Sequence, residues 1–150
     1  MRPVLASILR QMRDLIIFLL ILAGVFLAIG EWRGWHVGIP NQTPIIAYKT
    51  DHVARVPIRT VTRSDMPIEV SGQVRRGSVQ VEVLFESPAS FQTGAAAVPQ
   101  RSVFEQTFSR GQRIDLNQVF SEGRGIYTVV MRYQDASGTF RINYPPSSQL

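Results

Sequence analysis

The chain has 150 residues, 16 basic against 11 acidic side chains, a formal charge of +5 and no cysteine. Without cysteine there is no disulfide framework, no thiolate metal site and no cysteine nucleophile. Setting aside the apolar N-terminal stretch and its flanks leaves roughly 100 residues, enough for one domain with a modest core.

Residues 1–14 form a basic lead, with Arg2, Arg10 and Arg13 against Asp14. Val4, Leu5, Ile8, Leu9 and Met12 recur at helical spacing within it. From Leu15 to Gly30 no side chain carries a charge or a hydrogen-bonding group. As a helix this run spans about 24 Å, against a hydrocarbon core of about 30 Å. It reads as a single transmembrane helix over 15–30 with flanks to 35. Arg10 and Arg13 snorkel at one interface, and Trp32 and Trp35 form an aromatic belt at the other. The basic lead places the N-terminus in the cytoplasm and the remainder outside it. A cleaved signal peptide competes, with Ala28-Ile29-Gly30 as a small-x-small site before Glu31. The apolar run exceeds the usual signal-peptide core, which favours an uncleaved signal-anchor. A lipoprotein anchor is excluded, because Val25 stands where the lipid-bearing cysteine belongs.

Residues 31–50 are expected to be a linker, punctuated by Gly34, Gly38, Pro40 and Pro44. Asn41-Gln42-Thr43 has the form of a glycosylation sequon, but Pro44 directly after it disfavours use. Ile45 to Tyr48 is a short candidate strand. From Val53 onward the chain reads with a period of two. Val56, Ile58 and Thr60 alternate with Pro57, Arg59 and Val61, and Pro57 marks an edge strand. Ile68–Val74 and Val79–Phe85 are two alternating runs joined by Arg75-Arg76-Gly77-Ser78, which predicts a hairpin. Residues 87–100 form the longest aperiodic stretch. Phe104 and Phe108, Ile114 and Leu116, Tyr127 to Tyr133, and Phe140 to Tyr144 mark the later strands. Arg110-Gly111 and Asp135-Ala136-Ser137-Gly138 are expected turns, and 146–150 is a tail.

The expected fold is all-β beyond the helix: a small antiparallel β-sandwich of 7–8 strands over residues 51–145. Glu122-Gly123-Arg124-Gly125-Ile126-Tyr127-Thr128-Val129 resembles the tyrosine corner of immunoglobulin-like sandwiches. The resemblance implies that the Tyr127 hydroxyl bonds back to the preceding loop. Val129 stands where antibody domains carry cysteine, and the β-region lacks their core tryptophan.

No catalytic set is evident. His36 and His52 are the two histidines, and no serine sits in a nucleophile elbow beside them. The acids are scattered, so neither a metal site nor a cofactor site is expected. Arg75, Arg76, Arg110, Arg113 and Arg141 could gather on one face, yet no aromatic residues interleave with them as nucleic-acid binding would require. The candidate partner-binding residues are Phe91 in the long loop together with Arg75 and Arg76. The sequence reads as a single-pass cell-membrane protein, non-enzymatic, whose extracytoplasmic domain meets a protein partner, an envelope polymer or a second copy of itself. A pilin-like or secretion-system subunit is the alternative layout, and a small-ligand-binding or enzymatic accessory domain is a third.

Overall fold

A computed structural model describes residues 2–60, 65–87 and 100–145. The chain divides into two compact units, 1–34 and 35–150.

The first unit is one helix, α1 (Arg2–Arg33). Its segment Gln11–Glu31 is long and apolar enough to cross a membrane. At 1.5 Å per residue that segment covers about 31 Å, which removes the shortfall of the 15–30 run. Phe18, Leu20, Phe26 and Leu27 are all more than 60% exposed, so this stretch of the helix buries no apolar stripe. Gly34 ends it in the left-handed conformation (φ 67°), and its N–H bonds the Gly30 carbonyl at 2.9 Å. Glycine enters that conformation without the penalty a Cβ imposes.

Among the described residues the second unit holds six strands: β1 (Trp35–Val37), β2 (Ile45–Thr60), β3 (Met66–Glu86), β4 (Arg101–Ser109), β5 (Arg113–Phe120) and β6 (Gly125–Asn143). β1 lies inside the stretch expected to be linker, so the β-region begins at Trp35. The pairing is antiparallel throughout, in the order β1-β2-β6-β3-β4, with β5 also on β3. β3, at 21 residues, is the axis. Its N-terminal arm pairs β5 on one side and the end of β6 on the other, and its C-terminal arm pairs β4 and the start of β6.

β2, β3 and β6 are therefore long strands that bend and serve two layers. The first layer orders as β2 (45–50), β6 (136–143), β3 (66–76), β5, with β1 flanking β2. The second orders as β2 (52–60), β6 (125–134), β3 (78–86), β4. The bend runs along one line. Register shifts occur at 47–52 in β2 and 74–78 in β3, and Lys49, Gly77 and Asp135 all have φ between 44° and 66°. The turn from β4 to β5 meets the same line, with Gly111 N–H bonded to Val74 O and Val74 N–H to Gln112 O.

The expected hairpin at 75–78 is thus a corner. Val70 pairs with Ile142 and Val81 with Met131, and the two halves of β3 do not pair with each other. The turn at 135–138 is likewise a bend within β6. This explains six strands where alternation predicts seven or eight. Pro57 does sit on an edge: β2 from 52 to 60 pairs with β6 alone.

The two layers face each other across one core. Ile68, Val70 and Ile114 of the first layer and Val81, Val83 and Val129 of the second are fully buried in it. The Phe120 ring of β5 lies 6.3 Å from Tyr127 and 6.4 Å from Phe104, spanning the layers. Burial of such side chains contributes about 1.5–3 kcal/mol each, which sets the alternation. The result is an antiparallel β-sandwich.

Candidate functional site

The outer face of the first layer carries the polar side chains that alternate with the core. Register places them in rows. Arg113, Gln73 and Thr139 form one row, and Asp115, Ser71 and Arg141 the next. A depression of about 510 Å³ follows these rows, lined by Ser71, Gly72, Gln73, Arg113, Thr139 and Arg141 among others. A second depression of about 270 Å³ shares Thr139 with it and extends to Trp35, Tyr48 and Arg75. The two make one continuous face.

Each end has its own chemistry. At the β1 end the Trp35 and Tyr48 rings are 6.1 Å apart at 30°, and Trp35 is 41% exposed. Lys49 Nζ sits 5.3 Å from the Tyr48 ring centre, a cation–π distance. At the β5 end Arg113 and Arg141 are exposed and form no ion pair among the described residues. Glu69, on the same face, is engaged by Asn143 Nδ2 at 3.1 Å. A third depression of about 370 Å³ at the β4–β5 edge shares Arg113 with the first and is lined also by Asp115, Gln106 and Gln118.

The residues singled out by sequence are dispersed. Phe91 lies outside the described residues, as do the side chains of Arg10 and Trp32. Arg13 pairs with its neighbour Asp14 at 3.1 Å on α1. Trp35, expected as part of the membrane belt, is a strand residue of the sandwich. Arg75 lines the second depression, whereas Arg76 ties the corner through Asp135 at 2.9 Å. Arg113 and Arg141 were grouped by sequence with Arg75, and the fold sets all three around one face. Ser71, Gln73, Thr139 and Tyr48 escape a sequence reading because only the register brings them together.

His36 and His52 stack with ring centres 4.0 Å apart. Burial, and then the charge of His52, hold the His36 pKa below its ordinary value. Among the described residues no three His, Cys, Asp or Glu side chains are grouped to hold a metal ion. The sequon residue Asn41 is engaged: its Oδ1 accepts the Tyr144 N–H at 3.1 Å.

No family model matches the sequence, and no curated protein matches it. Among solved structures, one described as "CBM4 structure and function" superposes with a TM-score of 0.39 and 9% identity, covering 74% of this chain and 73% of that chain. The sandwich described above follows from strand register and burial, independently of that likeness.

Proposed function

We propose that this protein is a non-enzymatic, membrane-anchored envelope component, with its N-terminus cytoplasmic and its sandwich extracytoplasmic, that binds an envelope polymer on the outer face of the first layer. The observation that carries the reading is the continuous face itself. An exposed tryptophan beside a tyrosine adjoins a groove of hydrogen-bonding side chains and of arginines that form no ion pair among the described residues. An exposed and a half-buried ring next to polar groups suit a ligand with both apolar faces and hydroxyls. The Gln11–Glu31 segment supports the anchor, and the basic lead supports the orientation.

Co-sedimentation of the full chain, in detergent, with purified envelope polysaccharide tests this. Trp35→Ala is expected to weaken retention about tenfold, the loss of one stacked ring of roughly 1.4 kcal/mol. Absence of retention, or retention unchanged in both Trp35→Ala and Tyr48→Ala, would overturn it.

A further inference from the structure

We infer that the polymer is an acidic polysaccharide, a glycan carrying uronate carboxylates on alternate sugars, held with successive carboxylates at Arg113 and Arg141. The inference rests on the polymer reading above and specifies its ligand.

The first argument is the unpaired charge. Arg13, Arg76, Arg101 and Arg132 each meet an acidic side chain. Arg113 and Arg141, like Arg55 and Arg59 of the second layer, meet none among the described residues, but these two line one depression together. Exposed and about 12 Å apart at Cα, the two charges repel each other only weakly through screening solvent, and nothing in the core requires them there. An anionic ligand reverses the sign of that term, and a guanidinium fork grips a carboxylate through paired N–H groups.

The second argument is spacing. Gln73 pairs with Arg113, and Ser71 pairs with Arg141, on opposite flanks of β3. Two strand spacings and two residues of rise put their Cα atoms about 12 Å apart. That separation skips a sugar and so matches a charge on alternate units.

The third argument is the floor between the arginines. Ser71, Gln73 and Thr139 are neutral and carry both donors and acceptors, as sugar hydroxyls require. Trp35 and Tyr48 lie beyond Thr139 along the face, where a sugar ring can present its C–H side. A polyphosphate would use the arginines and leave both the neutral floor and the rings idle.

The test uses the full chain in nanodiscs of zwitterionic lipid. The probes are hyaluronan, which bears a uronate on alternate sugars, the same polymer after carboxyl reduction, and polyphosphate, each titrated calorimetrically. Hyaluronan is expected to bind, with affinity falling about tenfold in Arg113→Gln and again in Arg141→Gln. Affinity should fall less than about twofold in the double variant Arg55→Gln/Arg59→Gln, whose exposed arginines belong to the second layer. Equal losses in that variant would overturn the site, because net charge alone would then explain binding. Tighter binding of polyphosphate would overturn the uronate assignment. Binding of the reduced polymer as tightly as hyaluronan, still sensitive to Trp35→Ala, would overturn the acidic ligand and leave the polymer reading standing. Binding of none of the three would overturn the acidic ligand, and the envelope-polysaccharide co-sedimentation then decides the polymer reading separately.

Discussion

Tyr127 shows how a single side chain closes the sandwich. Its ring is fully buried between Phe85 and Phe120, at 4.8 and 6.3 Å. Its hydroxyl accepts the Glu122 N–H at 3.0 Å and donates to the Gly123 carbonyl at 3.3 Å. The loop before β6 is thereby pinned by the strand it introduces, as the tyrosine-corner resemblance implies. Burial is the main reason the hydroxyl pKa stands above its ordinary value. Tyr127→Phe keeps the ring and strands the Glu122 N–H. The expected cost is about 1–2 kcal/mol, read as a fall in denaturation midpoint at unchanged m-value. No change would mean that water replaces the hydroxyl at no cost.

His36 acts at the same scale but answers to pH. Its pKa is lowered in the folded chain, by burial first and by His52 second. A base with a depressed folded pKa binds fewer protons than its unfolded counterpart once pH falls below about 6.5. Stability linked to His36 is therefore complete above that pH and lost as pH falls through the folded value. Thermal melts at pH 7.5 and pH 5 are expected to show a lower Tm at pH 5, and His52→Gln should narrow the gap. A gap unchanged by His52→Gln would remove the stack as its cause.

At the scale of elements, the corner decides the fold. Three neighbouring strands bend together at Lys49, Gly77 and Asp135. The bend is stitched by Asp135 N–H to Asp51 Oδ1 at 2.7 Å, Lys49 N–H to Ser137 Oγ at 2.9 Å and Arg76 Nε to Asp135 Oδ2 at 3.0 Å. Gly77 is the hinge least open to substitution, because a Cβ there would run into the carbonyl oxygens of Gln134 and Asp135. Gly77→Ala is expected to cost about 2–4 kcal/mol, combining the left-handed penalty with the clash. Chemical denaturation measures it, and a loss below about 0.5 kcal/mol would show that the corner yields. Gly111, also left-handed but with open space around its Cβ position, supplies the comparison.

The same corner explains what could be read in advance. Alternation in Val79-Val81-Val83 or Tyr127-Val129-Met131 reports one buried face, and that face is where the sequence puts it. Alternation carries no partner. Arg75-Arg76-Gly77-Ser78 needs a left-handed glycine whether the chain reverses or turns a corner, so a hairpin and a bend look alike. The candidate site was less legible for the same reason. Arg113 and Arg141 are 28 positions apart, and only the shared pairing of β5 and β6 to β3 sets them on one face. Trp35 was read from its distance to the apolar run, which says nothing of β1 pairing with Tyr48.

At the scale of the whole molecule, the two units divide the physical work. Among the described residues the buried hydrophobic core lies between Ile45 and Ile142, while Leu15, Phe18, Leu19, Leu20, Leu22, Phe26 and Leu27 of the helix are exposed. Apolar surface of that extent is stable in hydrocarbon and costly in water at about 25 cal/mol per Å². Leu20 sits near the centre of Gln11–Glu31, where an arginine is farthest from either interface. Leu20→Arg is expected to raise the cost of insertion by about 3 kcal/mol, whereas Arg13, near the segment's end, can reach the headgroups. The core residues are untouched, so the substitution should act on membrane association alone. Alkaline carbonate extraction of cell membranes measures it: the parent chain should stay in the pellet and Leu20→Arg should move substantially to the supernatant. A parent chain released by carbonate, with a mature N-terminus near Glu31, would mean that the helix is a cleaved signal rather than an anchor. A Leu20→Arg chain that stays in the pellet would mean that the sandwich binds the envelope without it.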